Sequence, residues 1–248
     1  MYKYNETSEP LDEQTILWKY MDFAKFINMI ETKSLYFCRC DLLDDNFEGV
    51  YPILTGKEPS STYDKESLLF LKSFNIQLRK RIYINCWHIN NDESFAMWKV
   101  FNEKGQGIAI KVQNENLVAL LDADREKKVL GGKVKYIDYS NVPKGFKSYY
   151  DFTLLKRKSF EYEKEFRLII QLIKSKEIEG GHKEWDFSDD KNLVNGISLE
   201  VDITKLVNQI YVSPQSPDWY FEIVKNVIKK YGIEMVPIRS SLDDKTLL

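Results

Sequence analysis

Histidine and cysteine are scarce in this chain: its 248 residues include only His88 and His182, and Cys38, Cys40 and Cys86. Zinc sites draw on larger, closely spaced ligand sets, and an odd handful of cysteines builds no disulfide framework. Cys38 and Cys40, two apart, face one side of a strand, and Cys86 belongs to another. They read as small buried apolar side chains in a reducing compartment. His88 has no serine or cysteine partner at a recognisable spacing, which leaves a nucleophilic triad without footing. A charge excess is lacking too, since 36 basic side chains face 38 acidic ones. Domains held to nucleic acid by bulk charge carry a large basic surplus. The basic runs Arg79-Lys80-Arg81 and Lys156-Arg157-Lys158 read as solvated helix ends. No apolar run approaches the length of a membrane span. The polar start, MYKYNETSEPLDEQT, has no apolar core of a signal peptide. The expected location is cytoplasmic, away from membranes. Neither a Walker loop, nor GxGxxG, nor a metalloprotease helix is present, and the KGQG at 104–107 is too short to stand for one.

What remains is ample material for a core: 43% of the chain is hydrophobic and 14% of it is aromatic. The expected fold class is α+β, with mixed, mainly antiparallel sheets, flanking helices and a C-terminal β-α-β unit, all in one domain over 1–248. Residues 1–15 read as a loose lead-in. After a strand at ILWKY, the spacing of Phe23, Phe26, Ile27 and Ile30 predicts a helix, with Asp22 as its cap. A strand at 35–39, an acidic loop at 41–49 and a Pro/Gly/Ser-rich loop at 50–64 follow. A helix is expected over 65–80, and a strand over 82–88 with Ile82, Ile84 and Cys86 on one face. The next helix, ESFAMWKVF, is expected to be capped by Asn91 or Asp92 and to bury Phe95 and Trp98. Further on come a strand at GIAIKV, a helix at 114–121, a strand at 131–139 and a helix at 149–158. The apolar run 166–173 reads as a strand buried on both faces, and 174–195 as a surface excursion. At the end, Gln209–Ser213, a helix with Ser216 as N-cap and Pro217 at its first position, and Met235–Ile238 form the β-α-β unit. Gly232 is expected to stop that helix.

Three clusters carry candidate chemistry. In Phe160-Glu161-Tyr162-Glu163-Lys164-Glu165-Phe166-Arg167, a strand beginning at Glu163 would place Glu163, Glu165 and Arg167 on one face. Paired carboxylates raise each other's pKa and a neighbouring arginine lowers it, a combination suited to general-base work or to holding a sugar hydroxyl. A charged, solvated strand entrance would carry the same pattern. Asp41, Asp44, Asp45 and Glu48 form an acidic loop that suits either a hard cation or helix capping. Cys86-Trp87-His88, followed by Glu93-Ser94 and Met97-Trp98, offers a strand entering a capped helix with two indoles that would stack on a ring or fill the core.

Taken in order, Trp18-Lys19-Tyr20, Ser34-Leu35-Tyr36-Phe37, Asp45-Asn46-Phe47-Glu48-Gly49, Cys86-Trp87, Glu93-Ser94, Met97-Trp98, Gly107 and Phe160-x-x-Glu163-x-Glu165-x-Arg167 resemble a widespread bacterial family. It is labelled a domain of unknown function and is often found near mobile elements; the likeness spans about residues 16–170. That family is distantly similar to the ADP-ribosyltransferase superfamily. The resemblance implies an ADP-ribosyltransferase-like fold and NAD as substrate, with no metal. It implies Glu165 as the catalytic carboxylate, Glu163 orienting the acceptor, and Tyr36 (or Cys38) on the second strand. Lys19 or Tyr20 would take the first NAD-contacting place, and Trp87 or Tyr36 would stack on nicotinamide. Arg39, Glu93, Ser94 and Arg167 would complete the cofactor site. Position 19 is Lys where the superfamily usually has Arg or His, and no Ser-Thr-Ser follows on the second strand. The implied partners are a protein or nucleic-acid acceptor, and an antitoxin or a second copy of the chain, in keeping with a toxin or antiphage effector. The alternatives are a metal-dependent nuclease built on Asp45, Glu48 and the Glu163/Glu165 pair, and a non-catalytic binding module.

Overall fold

The structure is a computed structural model and describes residues 2–4, 8–55, 64–101, 105–123, 128–142, 148–178, 182–188 and 193–244. The expected loop at 50–64 therefore falls outside the described residues over 56–63, as does Lys104 of KGQG.

Strand β1 (Tyr2–Tyr4) and strand β2 (Ile16–Asp22) come first, then helix α1 (Phe23–Thr32). Asp22 caps α1 as expected, its carboxylate accepting from Lys25 N at 2.8 Å. Strand β3 (Ser34–Arg39) leads to the acidic loop, and helix α2 (Lys65–Arg79) to strand β4 (Ile82–Ile89). Helix α3 (Phe95–Phe101), strand β5 (Gly107–Gln113) and helix α4 (Asn114–Ala123) follow. Next are β6 (Val129–Lys133), β7 (Lys135–Ile137), β8 (Leu155–Arg157) and β9 (Glu165–Gln171). The expected strand over 131–139 is thus broken at Val134. The expected helix over 149–158 is a 3-10 turn at Tyr149–Leu154 passing into β8. The excursion at 174–195 contains a hairpin, β10 (Lys174–Ile178) with β11 (His182–Asp186). Strand β12 (Gly196–Glu200), the short helix α5 (Ile203–Leu206), strand β13 (Gln209–Val212), helix α6 (Asp218–Lys230) and strand β14 (Ile238–Arg239) complete the described elements.

Ten of these strands form one mixed, mostly antiparallel sheet with the path β1-β6-β9-β4-β2-β5-β13-β14, and β3 joins β4 on one side and β12 on the other. The fold class is α+β, and the C-terminal β-α-β unit is present: β13 and β14 pair in parallel across α6. Its cap differs from expectation. Pro217 holds the N-cap position without a side-chain bond, while the Ser216 hydroxyl donates to Gly105 O at 2.8 Å. Gly232 does follow the helix with φ +71°. The N-terminal segment is not loose at its start, because Tyr2–Tyr4 pairs with Val129–Gly131 and Leu11 is buried. α3 is capped by Ser94, whose hydroxyl accepts from Met97 N, and it buries Met97 and Trp98 while Phe95 is 58% exposed.

The topology has one unusual place. β2 and β3, joined by α1, both pair with the same edge of β4, β2 at His88 and Ile89, β3 at Tyr83 and Ile84. Between those rungs the two strands diverge, so the sheet forks at residues 85–87. On one face of the sheet lies the main core, with Leu17, Met21, Phe37, Tyr83, Trp87, Phe166, Leu168 and Ile170 under α1, α4 and α6. Smaller clusters cover the other face.

β9 is fully buried and flanked by β4 and β6, which explains its near-continuous apolar run. Gly131 on β6 is required by close approach: a Cβ there would lie 2.1 Å from the Tyr2 hydroxyl and 2.8 Å from Phe166 Cζ. Gly131→Ala should therefore lower stability by about 1–3 kcal/mol in urea unfolding, as overpacked cores do. An unchanged unfolding midpoint would show that β1 is not seated on β6 as described.

Candidate functional site

Glu165 opens β9 opposite His88, and Arg167 lies opposite Cys86. Strand alternation puts these four side chains on one face, away from the main core. Glu163 does not continue the strand. It ends a 3-10 turn over Lys158–Glu163, and Lys164, with φ +40°, swings the chain into β9. The expected strand start at Glu163 is thus displaced by two residues, yet the kink still brings the two glutamates together.

They meet around Lys156, which the sequence suggested as part of a solvated helix end. Its ammonium lies 2.5 Å from Glu163 Oε2, 2.6 Å from Glu165 Oε1 and 3.4 Å from Glu48 Oε1, and the residue is buried. Arg167 is fully buried beside it. Its Nε donates to Glu165 Oε2 at 2.7 Å, one terminal nitrogen donates to Glu48 Oε2, and the other donates to Thr153 O at 2.8 Å. The acidic loop supplies Glu48 through a tight turn. Asp45 accepts from Phe47 N at 3.1 Å, its carbonyl accepts from Glu48 N, and Gly49 completes the bend at φ +67°. Asp45 itself turns to Arg157 at 2.9 Å. Asp45-Asn46-Phe47-Glu48-Gly49 is therefore the device that inserts a buried carboxylate beside Arg167. The other basic run is not solvated either: Arg81 is fully buried and donates to Phe187 O at 2.9 Å.

Three carboxylates and two fixed cations leave one negative charge over in a dry place. Burial, a hydrogen bond with Glu165 and the Glu165 charge push the Glu163 carboxyl up to about 8. Burial also works against the ionised form of Glu165, but Arg167, the Glu163 hydrogen bond and Lys156 outweigh it and hold that carboxyl well below the usual range. At neutral pH the pair is thus one acid and one carboxylate, the division of labour that acid–base sites use. Burial opposes the Lys156 charge, yet Glu165 and Glu48 raise its pKa overall. Exposure separates the pair further: the Glu163 side chain is 16% exposed and that of Glu165 5%.

No family model, no curated protein and no solved structure matches this chain. The reading of the site rests on its own residues. Tyr36 lies on the same face as Glu165 and is 48% exposed. Lys19 and Trp87 lie on the opposite face, since their neighbours Trp18 and His88 pair and His88 in turn pairs with Glu165. Lys19 donates to Cys86 O at 2.9 Å and sits 5.2 Å from the Trp87 ring centroid. Arg39 is engaged by Asp41. Tyr20, Glu93 and Ser94 serve the local architecture: the Tyr20 hydroxyl accepts from Ser94 N at 2.8 Å, and Glu93 accepts from Trp98 Nε1 and from Ser241 N, both at 2.9 Å. Of the residues named from sequence, Glu163, Glu165 and Arg167 come together; Lys19, Trp87, Tyr20, Arg39, Glu93 and Ser94 lie around the fork or beyond it.

One participant escaped sequence reasoning. Lys156 had no distinguishing signal beyond an apolar neighbour, Leu155. His88, named from sequence without a role, donates a hydrogen bond from Nδ1–H to Glu163 O at 2.6 Å, which ties the kinked segment to β4 and leaves Nε2 as a bare lone pair. A metal-centred arrangement of Glu48, Glu163 and Glu165 meets the Lys156 ammonium at its centre. Among the described residues no group of three or more His, Cys, Asp or Glu is arranged to hold an ion, and no helix is long and apolar enough to cross a membrane.

Removing Lys156 should be costly, because three carboxylates would then face a single arginine. Lys156→Met should lose about 3–5 kcal/mol at neutral pH, the penalty of a broken buried ion pair. The deficit should narrow as pH falls through the carboxylate range, where protonation removes the surplus charge. Urea unfolding at several pH values reads both; equal stability of variant and parent at neutral pH would show that the network is not closed.

Proposed function

We propose that this protein is an NAD-dependent ADP-ribosyltransferase-like enzyme that acts on a protein or nucleic-acid acceptor, with toxin or antiphage action as its setting. The observation that carries the reading is the Glu163/Glu165 pair, gathered by the buried Lys156 and with only Glu163 reaching solvent appreciably. Cleavage of the nicotinamide–ribose bond gives the ribose oxocarbenium character, as in glycoside cleavage, where two carboxylates of divided protonation do the work.

The exposures favour an exchange of the roles implied by the family resemblance. Glu163 is the group that reaches solvent and would touch substrate. Glu165, gripped by Lys156 and Arg167, acts behind it as a fixed negative charge. The C1′–N bond breaks with its electron pair passing to the pyridinium nitrogen, which releases neutral nicotinamide. The acceptor heteroatom bonds to C1′, and its proton passes to the Glu163 carboxylate. Because that carboxyl holds its own proton up to about pH 8, the base is available only as pH rises through that value.

Incubation with NAD labelled in the adenylate half tests the reading. Nicotinamide release and label on a macromolecular acceptor are expected, with the rate rising through about pH 8. Glu163→Gln should lower transfer by about 10²–10⁴-fold and flatten the pH dependence. If neither nicotinamide nor labelled acceptor forms with any protein or nucleic-acid fraction, the transferase reading fails.

A further inference from the structure

β4 carries two buried side-chain atoms without hydrogen-bond partners on one face of the fork. Asn85 and Trp87 are each 2% exposed, and Asn85 Oδ1 and Trp87 Nε1 have no partner. They are two residues apart on one strand, so their side chains project side by side. Each orphaned group forfeits its hydration without recovering a partner, and native chains rarely hold such atoms without a use. One is an obligate donor and the other an acceptor, because the Asn85 amide nitrogen is already committed to Tyr36 O at 2.7 Å.

Their position explains how such a pair could be reached. On this edge β4 has two rungs with β2 and two with β3, and nothing but side chains between. Lys19 clasps Cys86 O and Asn85 clasps Tyr36 O. Side-chain clasps open at far lower cost than a strand ladder. On the face of Asn85 and Trp87 the fork is bordered by the half-buried Lys19, while on the opposite face it opens at the exposed Tyr36 and the half-buried Cys86.

We propose that the fork between β2 and β3 is a recognition slot for a primary carboxamide, with Trp87 Nε1–H donating to its carbonyl oxygen and Asn85 Oδ1 accepting from its amide nitrogen. A ligand must present an acceptor and a donor on adjacent atoms to satisfy both. A carboxylate has no donor for Asn85. A second cation is disfavoured by the Lys19 ammonium that already lies over the Trp87 ring. A neutral planar amide meets both demands. The slot goes beyond the transferase reading and stands or falls separately from it.

The test uses the full chain and two pairs of probes, benzamide against benzoate and nicotinamide against nicotinate. Two-dimensional NMR of the indole N–H groups reports directly on Trp87, assigned through Trp87→Phe. Both amides should shift the Trp87 indole signal saturably at millimolar concentration, and both acids should leave it in place. Asn85→Leu should weaken amide binding about tenfold, the loss of one buried hydrogen bond. Should that variant not fold, the amide-versus-acid contrast in the parent protein decides alone. Absence of any amide-induced shift, equal binding of amide and acid, or a shift confined to other indoles would overturn the slot. Amide binding without nicotinamide release from NAD would keep the slot and sink the transferase. NAD cleavage without discrimination between amide and acid would do the reverse.

Discussion

The arrangement depends on one electrostatic constraint: Glu48, Glu163 and Glu165 share a dry space with only Lys156 and Arg167. Three negative charges against two positive ones do not balance there, and uncompensated buried charge is prohibitively costly. A proton on Glu163 restores balance, which is why burial and Glu165 raise that carboxyl while Glu165 is held ionised. The member with access to solvent is the one that carries the exchangeable proton, since a titrating group needs a route to water and the fixed ions do not.

The same cluster organises the chain around it. Its five members come from the acidic loop, β8, the 3-10 turn and the start of β9. Arg167 reaches the Thr153 carbonyl as well as Glu48, so it fixes where the 3-10 segment enters β8. Tyr136 holds the entrance of β9 by accepting from Glu165 N at 2.8 Å. Ion pairs of this kind add little net stability over a well-packed apolar alternative. What they supply is register, because the shared cations Lys156 and Arg167 tie carboxylates from separate segments to one place.

Much of this was legible in the residues, and the illegible part follows a pattern. Strands and helices with strong periodicity or capping, such as α1 with Asp22 and the buried run of β9, were readable because local forces alone determine them. The segment 149–163 was not. Its helical spacing is real, but buried Lys156 and the kink at Lys164 answer to charges more than a hundred residues upstream. The site divides the same way. Glu163, Glu165 and Arg167 stood out by spacing, whereas Lys156 resembled any solvated lysine, since burial of a charge is settled by its partners. Ser94, Glu93 and Tyr20 looked like ligand-binding polar residues and turned out to cap α3 and anchor the C-terminal segment. Polar residues beside a helix start serve either purpose, and sequence does not distinguish them.

The fork follows from the same logic at the level of the sheet. β2 and β3 are joined by the single helix α1, which lies on the main core face and touches both. Its two flanking strands reach β4 at different points along its length instead of side by side. Backbone groups between those points must be met by side chains, since a buried carbonyl cannot go unpaired at low cost. Lys19 meets Cys86 O and Asn85 meets Tyr36 O. That substitution makes a lysine at position 19 intelligible: a long, flexible donor spans a gap that a backbone amide cannot. Its amine is pushed down to about 8 chiefly by burial, so the clasp loses its charge just above neutrality while keeping its donors. Across the fork two side chains stand in for backbone rungs, so the sheet is weaker there than along its paired strands, and that is where a ligand could enter.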